Sequence, residues 1–144
     1  MLDGVDRRKR NRICVWLIIL GLGNFLVYAT VYAIIGGDAQ NGGIHPDGTY
    51  YVRGHHVHRL GGYEQPVPKW VWIYSHIHSI SIWPSIAAVL LAMLTMARPH
   101  IMATYQRGMM TGATLVTVMA TVIVLVTTVI MFWFIVVFIT ALAG

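Results

Sequence analysis

The segment Met109–Ala143, MMTGATLVTVMATVIVLVTTVIMFWFIVVFITALA, decides the class of this protein. Its 35 residues carry no charged side chain. In water, the β-branched residues Val116, Val118, Val122, Ile123, Val124 and Val126 would favour a strand. In lipid, each backbone amide must be bonded within its own segment or a closed barrel, so an isolated run of this kind is a helix. A hydrocarbon core about 30 Å thick needs about 20 helical residues. A 35-residue helix reaches about 50 Å and must tilt or protrude.

Two further runs have the same character. Trp70–Ala97 reads WVWIYSHIHSISIWPSIAAVLLAMLTMA, and Ile13–Ile35 spans 23 residues without a charge. The expected fold is an all-α integral membrane protein with three transmembrane helices. A small extracytoplasmic loop that can form a β-hairpin lies between helices 1 and 2. The expected partition is a basic tail at 1–12, spans at 13–35, 70–97 and 110–142, and connections at 36–69 and 98–109.

Composition agrees. The chain has 144 residues, 57% hydrophobic and 10% charged, with a mean hydropathy of +0.67. A soluble domain carries roughly 25% charged residues, so an ordinary soluble enzyme and a disordered regulator are excluded. Cys14, the single cysteine, cannot form an internal bridge, which excludes a disulfide-stapled domain. Its place at the start of the first run reads as a small apolar helix residue rather than a palmitoylation site.

The first run also resembles a signal peptide. Arg7, Arg8, Lys9, Arg10 and Arg12 form a basic n-region, and Gly37-Asp38-Ala39 offers small residues for cleavage. A signal h-region is about 7–15 residues, however, so the run is expected to stay as an anchor. The same five cations could suggest nucleic acid, but beside a membrane helix they act as a topology signal. Five basic residues in the tail and two in the 98–109 connection make seven on one side, against Arg53, Arg59 and Lys69 on the other. The positive-inside rule then places the N-terminus in the cytoplasm and the C-terminus outside the cell membrane. Tyr28, Tyr32, Trp70, Trp72 and Tyr74 gather at the expected outer edge, and Trp16 and Tyr105 near the inner one.

No charged side chain lies within the spans, so their polar residues carry the information. Asn24 stands 11 residues past Ile13, about 17 Å from the inner edge. His78 stands 8 residues past Trp70, which is about 18 Å from the same edge of a 30 Å core. The two are therefore expected to face each other. Ser75, His78, Ser81, Ser85, Ala88, Ala92 and Thr95 follow helical steps of 3 and 4, a small-residue stripe that lets helices approach. His76 falls on another side with Ser79, Trp83 and Ala87. Thr114, Thr117, Thr121 and Thr128 form a comparable stripe in the third run. Pro84 should kink the second helix.

The 36–69 connection is glycine-rich, which predicts turns. Pro46-Asp47-Gly48 reads as a turn leading into a short strand at Thr49–Arg53. A second strand is expected through either His56–His58 or Tyr63–Gln65. His55, His56 and His58, with His76 approaching from the second helix and His45 as a further donor, form a candidate metal site. In a strand, 56 and 58 point the same way, and paired imidazoles suit Zn or Cu. Haem is the other histidine-based cofactor, with Met119 or Met131 as an axial partner. The ligand spacing is not that of a defined site, so no cofactor is the leading expectation. No phosphate loop, nucleophile elbow, metalloprotease helix or internal repeat is present.

The leading expectation is a non-catalytic accessory, assembly or structural component. Its partners would be the lipid bilayer and either further copies of itself or a larger membrane complex, not nucleic acid. The alternatives are a metal- or haem-binding redox or sensor subunit and an oligomeric small channel or carrier.

Overall fold

The computed structural model describes residues 2–54, 64–105 and 110–143, with side chains from residue 6 onward. In chain order the elements are α1 (Leu2–Ile35), β1 (Asp38–Ile44), β2 (Tyr50–Arg53), β3 (Glu64–Pro66), α2 (Lys69–Thr104) and α3 (Gly112–Ala143). All three helices are long and apolar enough to cross a membrane.

α1 and α2 are longer than the apolar runs that predict them, whereas α3 stays within its run. α1 starts at Leu2, so the basic segment is part of the helix rather than a tail before it. Lys and Arg are good helix formers, and the helix continues past its apolar part at no propensity cost. α2 likewise runs through Arg98 to Thr104, taking in Pro84 and Pro99. It therefore includes the first part of the connection expected at 98–109. At the far end of α1, Gly36 takes a positive φ of 82°. Its N–H and that of Gly37 both donate to the Tyr32 carbonyl, each at 3.0 Å. This left-handed cap ends the helix and turns the chain towards the sheet.

α2 is the central element. α1 packs on one side of it and α3 on the other, while α1 and α3 scarcely touch. The three helices therefore form an open row rather than a closed bundle. The α1–α2 crossing is tight at Gly21, where an added Cβ would strike the Val89 side chain and lie 3.3 Å from the Ser85 carbonyl oxygen.

The connection between α1 and α2 is a three-stranded antiparallel meander, in the order β1-β2-β3, not a two-stranded hairpin. β2 and β3 pair Tyr51 with Pro66, Val52 with Gln65 and Arg53 with Glu64. Of the two expected routes for the second strand, Glu64 and Gln65 belong to β3. His56–His58 lies outside the described residues. β1 occupies a stretch whose glycines predict turns. It pairs with β2 through an irregular register between Asp38 and Gly43.

The sheet sits on the ends of α2 and α3. Ala39, Val52 and Trp72 form a buried core, with Ile35, Tyr50, Val67, Ile73, Phe138 and Ala141 packed against it. Trp72 is 0% exposed, whereas Trp70 is 71% exposed. Trp72 is thus not one of the exposed aromatics, as its neighbours Trp70 and Tyr74 are. It is the side chain on which the sheet is seated, and burying an indole of this size is a large apolar contribution.

Candidate functional site

The polar side chains of α1 and α2 converge between those two helices and beneath the sheet. Asn24 is at the centre. Its Nδ2 donates to Ser85 Oγ at 2.9 Å, Ser81 Oγ at 3.3 Å and the Ser81 carbonyl at 3.5 Å. A carbonyl can only accept, so the amide orientation follows from chemistry. The Asn24 Oδ1 then lies 3.2 Å from His78 Nε2. Because Oδ1 also only accepts, the hydrogen of a neutral His78 ring is on Nε2.

Both serines are bonded within α2 as well. Ser81 Oγ donates to the His78 carbonyl at 2.7 Å, and Ser85 Oγ donates to the Ser81 carbonyl at 2.9 Å. Each hydroxyl thus gives one bond to its own helix and accepts one from α1. Both hydroxyls thereby satisfy donor and acceptor without any further partner.

A second group joins the sheet to the helices. Tyr28 OH donates to Asp38 Oδ2 at 2.7 Å. Asp38 Oδ1 accepts from the Asn41 backbone N–H at 2.9 Å and from Asn41 Nδ2 at 2.8 Å. The Ala39 N–H donates to Ser75 Oγ at 3.0 Å, and Ser79 Oγ donates to the Ser75 carbonyl at 2.9 Å. The His78 ring links the two groups. It meets Tyr28 and Tyr74 edge-on, with centroids 5.5 and 5.4 Å apart. His78 Nδ1 is buried without a hydrogen-bond partner among the described residues.

There is little free space inside this network. The cavity bounded by Tyr28, Asp38, Ser75 and His78 is about 10 Å³, room for one water molecule at most. A larger groove of about 330 Å³ opens sideways between α1 and α2 at Asn24, Tyr74, His78 and Ser81. The arrangement ties two helices and a sheet together.

His76 has a separate environment. It is 1% exposed and packs between Trp72 at 4.3 Å and Phe138 of α3 at 5.1 Å. The structure therefore does not bring it together with Asn24 and His78. Its Nδ1 and the Trp72 Nε1 are buried without hydrogen-bond partners among the described residues. The other candidate metal ligands, His55, His56 and His58, lie outside the described residues. His45 stacks on Tyr51 at 4.3 Å, with its Nε2 3.5 Å from Glu64 Oε2. Among the described residues, no three His, Cys, Asp or Glu side chains are grouped to hold a metal ion.

Sequence reasoning missed Tyr28 and Asp38 as a bonded pair. Tyr28 reads as an interfacial aromatic, and Asp38 as a loop residue. The signal that could have found them is the position of Asp38, an acid three residues beyond the end of a long apolar helix. A carboxyl group so close to the apolar region needs a donor, and Tyr28, Thr30 and Tyr32 supply the hydroxyls preceding it. Compared with known proteins, the chain matches no family model, no curated protein and no solved structure.

Proposed function

We propose that this chain is a non-catalytic subunit of the cell membrane that assembles with further copies of itself or with other membrane helices. It crosses the bilayer three times, with the basic end of α1 in the cytoplasm and the sheet and C-terminus outside. The charge asymmetry and the three apolar helices support that placement.

One observation carries the assembly reading. Thr114, Thr117, Thr121 and Thr128 lie within an arc of about 60° on α3, and all four are exposed. The hydroxyls of Thr117, Thr121 and Thr128 make no hydrogen bond among the described residues. Thr95, Thr127 and Thr140 behave differently, each donating to the carbonyl four residues earlier at 2.6 to 2.9 Å. A hydroxyl in hydrocarbon costs free energy unless it is bonded. A facing helix supplies partners, and the small residues allow it to approach.

The test is the state of the full chain purified in mild detergent. Wild type should run as an oligomer or with a co-purifying membrane protein. The variant Thr117→Leu, Thr121→Leu, Thr128→Leu should lose that association while its circular dichroism stays helical. A monomeric, partner-free wild type, or an unchanged triple variant, defeats the reading.

A further inference from the structure

At the end of the helices away from the sheet, a pocket of about 680 Å³ opens between α1 and α2, lined by Asp6, Arg7, Arg10, Arg98, Pro99 and Met102. Three guanidinium groups from two helices meet there, against one carboxyl group, leaving a formal charge of two positive. Among the described residues, the ion pairs are those of Arg53 and His45 with Glu64, at the opposite end of the molecule. Among the described residues, none of the three arginines of the pocket makes an ion pair.

Position in the helices indicates what neutralises them. Arg98 lies 28 residues beyond Trp70, about 42 Å along α2. A bilayer with its headgroups is about 40–45 Å thick. If Trp70 stands at one headgroup layer, Arg98 stands at the other. A guanidinium presents a planar fork that binds phosphate oxygens in pairs. Basic pockets between membrane helices on the cytoplasmic side suit phosphorylated headgroups for this reason. Pro99 and Met102 add apolar lining. Deeper between the same two helices is an apolar groove at Gly21, Phe25 and Ile86. Gly21 is 11 residues, about 16 Å, beyond Arg10, close to the half-thickness that one leaflet's tails occupy.

We infer that this pocket binds the headgroup phosphate of an anionic phospholipid, with Arg7, Arg10 and Arg98 as its ligands. The inference rests on the helices spanning a bilayer and is independent of the assembly surface on α3. It differs from general attraction of basic residues to an anionic leaflet, because it depends on which side of α1 a charge occupies. Arg7 and Arg10 share a side, whereas Arg8 and Arg12 lie about 160° from Arg10 in either direction.

The test uses the full chain in a non-ionic detergent, titrated with dioctanoyl-phosphatidylglycerol, dioctanoyl-phosphatidylcholine or inorganic phosphate, with thermal unfolding as the readout. The glycerol lipid alone should raise the melting temperature saturably. Arg10→Gln and Arg98→Gln should each weaken its half-saturation about fivefold, while Arg8→Gln and Arg12→Gln stay within twofold of wild type. If Arg98→Gln melts abnormally without lipid, Arg10→Gln and Arg7→Gln carry the comparison. Equal losses for Arg8→Gln and Arg10→Gln would show diffuse attraction and overturn the site. An equal response to the choline lipid or to inorganic phosphate, or no saturable response, would also overturn it. A chain that stays dissolved before detergent is added would remove the spanning premise, and the proposal with it.

Discussion

Replacing Asn24 with Leu should weaken the attachment of α1 to α2 while keeping the side chain's branched shape. The substitution removes four contacts between the helices, the three shortest being Nδ2 to Ser85 Oγ at 2.9 Å, Oδ1 to His78 Nε2 at 3.2 Å and Nδ2 to Ser81 Oγ at 3.3 Å. The serines keep their bonds to the Ser81 and His78 carbonyls, so they are not orphaned. His78 Nε2 loses its partner. Interhelical hydrogen bonds between membrane helices average about 0.6 kcal/mol by double-mutant cycles, with a maximum near 1.7. Three of them give about 2 kcal/mol for Asn24→Leu, a factor of about 30 in the unfolding equilibrium. The assay is reversible unfolding in mixed micelles of wild type, Asn24→Leu, His78→Leu and the double variant. The cycle isolates the Asn24–His78 term, expected at about 0.6–1.7 kcal/mol. A cost below about 0.5 kcal/mol for Asn24→Leu, or strict additivity of the two changes, would falsify the claim that this network holds the helices together.

Three other outcomes follow from packing and electrostatics. Gly21→Ala should cost about 1–3 kcal/mol by overpacking against Val89 and the Ser85 carbonyl. Gly23→Ala, with nothing within 4 Å of the added Cβ, should be neutral or slightly stabilising in the same melting assay. Trp72→Ala should lose about 3–5 kcal/mol and release the sheet to proteolysis, whereas Trp70→Ala, at an exposed position, should leave the cleavage pattern unchanged. The Asp47 carboxyl is held below its ordinary value of 3.8 by the Thr49 N–H, which donates to Oδ1 at 2.9 Å. A depressed carboxyl stabilises the turn above pH 3.8, and the contribution is lost as pH falls through the lowered value. The Thr49 amide shift should therefore titrate below pH 3.8 and lose that titration in Asp47→Asn; a midpoint above 3.8 would contradict the bond.

Several features were legible because they depend on short-range properties. The Pro46-Asp47-Gly48 turn closes as its residues demand, with the Gly48 N–H donating to His45 at 2.8 Å. Asn24 and His78 are at equal depth by counting residues, and helical spacing puts Ser81 and Ser85 on the same side as His78. β1 was not legible. Gln40, Asn41, Gly42 and Gly43 have low strand propensity, and the register is irregular between Asp38 and Gly43; the sheet is held from below by Trp72. His76 looked like an outer-edge residue available to the loop. Its burial follows from Phe138, which comes from α3 more than sixty residues later.

Three long apolar helices, roughly where each lies, and which of their few polar groups stand at the same height can be read from the residues alone. Those properties follow from length, apolarity and 3.6-residue periodicity, all local to a segment. Packing in three dimensions was needed to show that α2 is the middle helix, that Tyr28 bonds Asp38, and that Arg98 joins Arg7 and Arg10 around one pocket. Each depends on which faces meet across distant parts of the chain, and helices apolar nearly all round carry too little pattern to specify that choice in advance.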